Sequence, residues 1–576
     1  MKRLAIFLKS YIRECILAPL FKLLEASFEL LVPLIMASII DSGIGGGNNA
    51  YIIKMGLLLV ALAAIGFGAS CAAQYFAAKA AIGFSTELRS ALLKKLQTLS
   101  YSELDSIGSS ALITRMTSDV DQAQNGVNQV LRLLLRSPFV VFGAMLVAFT
   151  IDTKCALIFL AVIAALCLVV FSIIFITLPM HTEVQHGLDG VTAKTRENLN
   201  GVRVLRAFTC EAEEETEFEH RNERLTALQL KVGRISSMLN PITLFIVNIA
   251  IIALIWTGAI RVNIGALTQG EVVALYNLMS QILIELIKMA NLIITMTRSA
   301  ACAKRCAGLF DIQSTRLSGS ETPSDAAPHG SVEFRGVSFT FPDGSAPAIE
   351  GISFYAAPGE TIGIIGGTGA GKSTIINLIP GFYPATSGSV YIDGLDVKQF
   401  EPSALNARIG IVPQKAMLFE GSIRSNLLMG NAHASEELLL DSLITAQALE
   451  IVESKPNGLD ERVEQGGRNF SGGQKQRLTI ARALVKQPEI LILDDSASAL
   501  DYATDAKLRM AIRSMKSSPT TFIVSQRAAS IRYADKIIVM DDGKLVGIGK
   551  HDELLKNCSV YREIYSSQFS DDGGTV

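Results

Sequence analysis

Nine consecutive residues, Gly366-Gly367-Thr368-Gly369-Ala370-Gly371-Lys372-Ser373-Thr374, carry the clearest chemistry in the chain. They fit GxxxxGK[ST], and they stand between an apolar strand-like run, Thr361–Ile365, and a helical run, Ile375–Ile379. Glycines at these positions let successive backbone N–H groups close around phosphate oxygens. Lys372 then meets the β- and γ-phosphates, and the Ser373 hydroxyl holds Mg²⁺. A second apolar run, Ile490–Leu493, ends in Asp494 and Asp495. A carboxylate at the end of a strand is a usual Mg²⁺ partner in such sites. Two acids at a strand end mean little alone, but beside a phosphate loop they read as part of one nucleotide site.

The elements that must position these residues divide the chain near residue 310. From Ser331 onward, strand-like runs alternate with helical ones, which predicts α/β architecture. Before that point apolar residues dominate. The 576 residues are 49% hydrophobic and only 18% charged, with a net charge of −2. Soluble chains carry about 25% charge. This balance excludes disorder, a coiled coil and a nucleic-acid binder that depends on net positive charge. It predicts a chain partly embedded in a lipid bilayer. Six runs are long enough to span one: Cys15–Ile40, Ile53–Ala81, Leu133–Ile151, Cys155–Met180, Met238–Ile260 and Val272–Met296. The third is the weakest, because Arg136 sits near its start. The first is too long for a signal peptide and contains Glu25 and Glu29. The eight cysteines show no CxxC pair and no metal-ligand spacing.

Loops Asp41–Ala50, Asp152–Lys154 and Arg261–Thr268 are short and carry few Lys or Arg. The stretches Glu87–Gln129 and His181–Ile235 hold most of the basic residues, which predicts that they, both termini and the second half lie in the cytoplasm of a multi-pass cell-membrane protein. Both stretches keep helical apolar spacing, so they read as helices running beyond the bilayer, with hairpin tips at Tyr101–Ile107 and Phe208–Phe218. The Ser-, Pro- and Gly-rich segment Ser314–Ser331 reads as a linker. The expected organisation is a membrane domain over 1–311, a linker over 312–330, a nucleotide domain over 331–571 and a tail over 572–576.

Between the phosphate loop and the second strand lies Phe470-Ser471-Gly472-Gly473-Gln474-Lys475-Gln476-Arg477-Leu478. Here the chain resembles the nucleotide-binding domain of ABC transporters, whose signature is a close variant of LSGGQ. Phe341 resembles the aromatic that stacks on adenine. Gln414, in Ile411-Val412-Pro413-Gln414, resembles the Q-loop glutamine that joins the Mg²⁺ shell, and Ser498-Ala499-Leu500-Asp501 resembles the D-loop. Ala111–Asp121 and Glu197–Phe218 resemble the cytoplasmic loops of exporter-type members. The resemblance covers nearly the whole chain and implies an ABC exporter half-transporter: an all-α domain of six transmembrane helices with long cytoplasmic extensions, then an α/β ATPase domain. It also implies a partner half-transporter. In the family, ATP lies between the phosphate loop of one chain and the signature of the other, so Ser471, Gly472, Gly473 and Gln474 would serve the partner's site.

Three departures bear on catalysis. The family usually has Glu after the strand-end Asp as catalytic base, whereas this chain has Asp495, one methylene shorter. Gln526, in Thr521-Phe522-Ile523-Val524-Ser525-Gln526-Arg527, stands where the family has its switch His. Gln465 stands where Glu is usual before the signature. Two altered catalytic positions beside an intact signature imply the degenerate-site subunit of a heterodimer, whose partner would carry Glu and His. A homodimer that tolerates Asp495 is the alternative.

Lys22, Glu25 and Glu29 share one face of the first span, as Gln281, Glu285 and Lys288 do of the sixth. Ionisable groups within a span face a cavity or a partner. Glu25, Glu29, Gln281 and Glu285 are therefore candidates for a translocation path, with Phe28 and Tyr276 as apolar neighbours. The competing reading is that Glu285 and Lys288 pair within their own helix. A path of this kind suits an amphiphilic substrate such as a drug, lipid or peptide. The functional reading is an ATP-driven exporter; the alternative class is an ATP-gated regulatory membrane protein without transport.

Overall fold

The computed structural model describes residues 4–315, 319–322, 329–341, 344–496 and 500–569. Ser498, Ala499, the tail from 570 and parts of the expected linker lie outside the described residues. The chain forms two compact units, Met1–Lys95 with Ser110–Ile312, and Leu96–Ser109 with Gln313–Val576.

The first unit contains six helical segments long and apolar enough to cross a membrane: Leu4–Ile44, Asn49–Thr98, Ser109–Ile151, Thr153–Phe208, Glu211–Asn263 and Gln269–Asp311. Each predicted span falls inside one of them. The helices Asn49–Thr98 and Thr153–Phe208 have 50 and 56 residues, or about 75 and 84 Å at 1.5 Å per residue. An apolar slab of about 30 Å accounts for less than half of either, so both run far beyond it. Their ends break at small, local devices. Ser100 caps the short helix Tyr101–Ile107 in a capping box with Glu103, and Gly108 ends it at φ 79°. Thr209, at φ 57°, ends Thr153–Phe208 and leaves Phe208 exposed at the turn.

Small residues let these helices approach: a Cβ on Gly83 would meet the Tyr11 ring at 2.1 Å. The core of this unit is built from Ala26, Val140, Phe159, Leu166, Leu254 and Met279. Phe67, Phe175 and Trp256 instead point outward, each more than 70% exposed. Such an outer surface is stable only against lipid or another membrane chain. At the short-loop end, Asp41 accepts hydrogen bonds from Thr268 Oγ1 (2.6 Å) and Gly270 N (2.8 Å), and Asp152 pairs with Arg261.

The second unit is built on two main sheets. One is antiparallel, in the order β2-β1-β4-β5, from β1 (Val332–Phe339), β2 (Ile349–Ala356), β4 (Ser387–Ile392) and β5 (Leu395–Asp396). The other has the order β12-β11-β3-β10-β9-β6, from β3 (Thr361–Gly366), β6 (Ile409–Val412), β9 (Ile490–Asp494), β10 (Thr520–Val524), β11 (Lys536–Asp541) and β12 (Lys544–Gly549). Its five pairings are parallel except β11 with β12. A short pair, β7 (Gly421–Ser422) and β8 (Arg462–Val463), stands apart. Because β3, β10 and β9 are parallel neighbours, their carboxyl ends place Gly366, Val524 and Asp494 along one sheet edge. Residues 96–109 belong to this unit: the Tyr101 ring lies 4.5 Å from that of Phe382, and Tyr383 donates its hydroxyl to Asp105 at 2.7 Å.

Candidate functional site

The loop after β3 turns into the helix Lys372–Leu378. Two glycines make that turn possible. Gly369 and Gly371 have φ of 84° and 90°, a region that other residues enter only with strain. A Cβ on Gly371 would also meet Ile349 Cγ2 at 2.6 Å, whereas on Gly369 it would meet only open space. The loop is therefore tight against the sheet below and open above. Lys372 Nζ donates to the carbonyls of Gly366 (3.0 Å) and Gly367, which holds the ammonium over the loop. Ala370 and Thr374 are buried beneath it.

A cleft of about 150 Å³ opens here, lined by Thr368, Gly369, Lys372, Ser373, Gln414, Asp494, Asp495, Val524 and Gln526. Ser373 Oγ stands 3.4 Å from Asp494 Oδ1. Asp495 follows β9 in a left-handed conformation, φ 45°, and its N–H donates to Val524 O at 3.0 Å. Burial pushes both aspartates above the ordinary carboxyl range. Asp495's charge adds to the rise at Asp494, while Arg527 and a hydrogen bond from Gln414 oppose it at Asp495. Burial pushes Lys372 down, against the pull of the same two acids. Each of these groups is thus less stable in its charged form than it is in water. A cation beside the acids and a polyanion beside the lysine would relieve all three, so the donor set fits Mg²⁺ with a polyphosphate.

The other expected residues lie elsewhere. Phe341 is 41% exposed and packs edge-on against Phe339 and Tyr383, outside the cleft-lining set. Ser471 caps the helix Gly472–Val485 in a capping box with Gln474, and neither these two residues nor Gly472 and Gly473 line the cleft. A Cβ on Gly472 would meet nothing within 4 Å, so this helix start presents an open face. Asp501 caps the helix Tyr502–Arg513 by accepting from Thr504 N at 2.7 Å. Gln465 begins the turn Gln465–Gly467. Arg527 was not singled out by the sequence, yet its charge bears on Asp495. His329, Asp393 and Glu489 also converge, but Arg408 already pairs with both acids, at 3.0 and 3.2 Å.

In the first unit the two charged faces meet at a residue that sequence reading counted only against the third span. Arg136, 6% exposed, donates to Glu285 Oε1 at 2.5 Å and to Glu29 Oε2 at 2.6 Å. Ser137 Oγ donates to Glu285 Oε2 at 2.9 Å, and Lys288 reaches Glu285 Oε1 at 2.8 Å. Lys22 pairs with Glu25 at 2.6 Å. Gln281 Nε2 lies 3.4 Å from the Glu29 carbonyl, and its Oε1 is buried without a partner. Glu285 and Lys288 do pair within their helix, but they belong to a cluster that joins three spans. The missed signal was Arg136 itself: an arginine in an apolar span requires carboxylates from its neighbours.

This architecture, six spans followed by an α/β domain with a phosphate loop and an SGGQ helix start, is that of an ABC exporter half-transporter. Family models agree: the ABC transporter transmembrane region matches residues 15–286, and the ABC transporter model matches residues 349–498. The chain is 35% identical over 573 residues to the uncharacterized ABC transporter ATP-binding protein YfiB of Bacillus subtilis, covering 100% of this chain and 99% of that one. It is 30% identical over 489 residues to the ATP-dependent lipid A-core flippase of Syntrophus aciditrophicus, covering 84% and 80%. The chain belongs to the ABC transporter family, as an ATP-driven exporter chain. Its fold is that of a bacterial Atm1-family ABC exporter solved with ATP bound, with a TM-score of 0.82 at 23% identity, over 98% of this chain and 99% of that one.

Proposed function

We propose that this chain is the degenerate-site half of a heterodimeric exporter, one that binds ATP durably and hydrolyses it slowly. The observation that carries the reading is a single cleft in which a full phosphate-binding set, Lys372 and Ser373 with Asp494 and Gln414, shares space with Asp495 and Gln526. The loop N–H groups and Lys372 bind the phosphates. Ser373, Gln414 and Asp494 would hold Mg²⁺, which when bound offsets charge on the β- and γ-phosphate oxygens. Hydrolysis makes a separate demand, a base within about 2.6–3.2 Å of the attacking water. Asp495 is a methylene shorter than the family's glutamate, and its carboxylate is engaged by Gln414. Gln526 can donate a hydrogen bond to phosphate but carries no positive charge. A well-placed base contributes about 10²–10⁴-fold, so partial loss makes a long-lived ATP site.

The partner's site would be completed by Ser471, Gly472, Gly473 and Gln474 of this chain. Phe341 would stack on the adenine, and Asp501 would stand at the interface. The scarcity of basic residues in the short loops supports an outward position for them, with both termini and the ATPase domain in the cytoplasm. The relative that moves lipid A-core, together with the charged cluster joining Glu29, Arg136 and Glu285, supports an amphiphilic cargo with a charged head; Glu25 and Gln281 would flank that path. One feature favours a homodimer instead: Asp495 keeps a carboxyl whose affinity for protons is raised, which suits a base. Ser471→Ala and Lys372→Ala, each introduced into this chain alone, separate the two. The heterodimer requires Ser471→Ala to depress ATP turnover far more, because it damages the partner's active site. Equal losses mean two equivalent sites.

A further inference from the structure

Gln526 stands at the cleft with little backbone support of its own. Strand β10 ends at Val524, and a four-residue helix, Ala528–Ile531, starts just beyond. The cap residue of that helix is Arg527, which offers no side-chain oxygen and makes no cap hydrogen bond. The first N–H of the helix would therefore be orphaned. A side chain 40 positions downstream supplies the missing partner. Gln568, the last residue of the helix Ser559–Gln568, accepts from Ala528 N at 2.8 Å through Oε1 and donates through Nε2 to the Gln526 carbonyl at 2.7 Å. Ser525 Oγ accepts from the intervening Arg527 N at 3.0 Å. Two side chains thus satisfy one backbone group on each of three consecutive residues, and they do so where the ladder has ended.

The arm that carries Gln568 is itself fixed. Tyr561 is fully buried and its hydroxyl meets His551 Nδ1 at 2.7 Å, Tyr565 stacks on Phe569 at 4.5 Å, and Arg562 donates to the carbonyls of Leu555 and Lys556. Gln568 therefore clamps the backbone on both sides of Arg527 from a rigid base. Rotation of the Gln526 backbone swings its side chain toward or away from Lys372, Asp494 and Asp495. That rotation breaks both amide hydrogen bonds together.

We infer that Gln568 is a positioning residue for the nucleotide site, setting where Gln526 stands relative to the γ-phosphate. The inference rests on the proposed role of the cleft in binding ATP. Its signature is selective. ADP lacks the γ-phosphate and does not sense Gln526, so only ATP affinity depends on the clamp. The test uses the full-length chain assembled with its partner in lipid nanodiscs, with Mg-ATP and Mg-ADP dissociation constants measured at this chain's site. Gln568→Leu should lower the ATP-over-ADP preference about three- to tenfold, the worth of one net hydrogen bond, with ADP affinity held. In a Gln526→Ala background, Gln568→Leu should change the preference no further. Gln568→Asn keeps the amide but shortens the reach, so it should lose the same preference while thermal unfolding shows that the domain remains folded. An unchanged preference in Gln568→Leu, an equal loss for ATP and ADP, or full additivity with Gln526→Ala overturns the inference. If Gln526→Ala alone leaves the preference intact, the proposed role of Gln526 fails first, and the inference falls with it.

Discussion

Replacing Arg136 by Met removes the hub that joins three membrane helices while keeping an apolar side chain of similar reach. Two ion pairs disappear, and Glu285, 3% exposed, keeps only Lys288 and Ser137. Breaking a buried pair from one side costs about 3–5 kcal/mol, because a charge stays behind without its partner. Two features place this case at the low end. Lys288 is 42% exposed and remains beside Glu285. The cluster also lies far along its helices: 16 residues separate Arg136 from Asp152, or about 24 Å from the short-loop end of a slab about 30 Å thick. Water reaches such a depth more readily than the middle. The expected loss is therefore about 3 kcal/mol, roughly two decades in the folding equilibrium. Reversible unfolding of the full-length chain in mixed micelles, followed through its single tryptophan, Trp256, measures it. Adding Glu285→Gln to Arg136→Met should recover more than half the loss by neutralising the stranded carboxylate. A single Arg136→Met variant as stable as the parent refutes the reasoning, as does a double variant whose losses simply add.

Asp494→Asn should separate stability from binding. The Asp494 carboxyl is held above its unfolded value, so the native chain binds more protons than the unfolded one between the two values, and stability falls as pH rises through that window. The variant should therefore melt higher than the parent at pH 7 without nucleotide and show a flatter acid-side profile, while losing at least about tenfold in Mg²⁺-dependent ATP affinity; a lower melting temperature at pH 7 contradicts the burial argument. For the orientation, a cysteine replacing Gly46 in a background without the native cysteines should react with an impermeant reagent in intact cells, and one replacing Ser320 should not. The opposite pattern overturns the placement of the ATPase domain.

Much of this molecule is local in sequence, and those parts were legible. The phosphate loop could be read because its strand and helix are contiguous with it, and the spans because a bilayer demands long apolar runs whatever their neighbours. The faces Lys22-Glu25-Glu29 and Gln281-Glu285-Lys288 followed from helical spacing. What joins them did not, since the partner of Glu29 is 107 positions away and only packing brings it near. The hairpin tip Tyr101–Ile107 could be placed beyond the bilayer, within reach of a cytoplasmic domain, but not its partners: Phe382 and Tyr383 lie some 280 positions downstream of Tyr101 and Asp105, and only packing brings them together. Asp495 and Gln526 stood out as departures from a family pattern. Arg527 did not, because its influence on Asp495 depends on β9 and β10 being adjacent in the sheet.

The central claim is that this chain's site holds ATP without spending it while the partner's site turns over. The direct test is to run the assembled transporter through many cycles on labelled ATP and then quench rapidly. Cross-linking the nucleotide to each chain and resolving ATP from ADP shows what each site holds. Intact ATP is expected on this chain, with ADP accumulating on the partner. ADP on this chain, appearing at the same rate as on its partner, would contradict it.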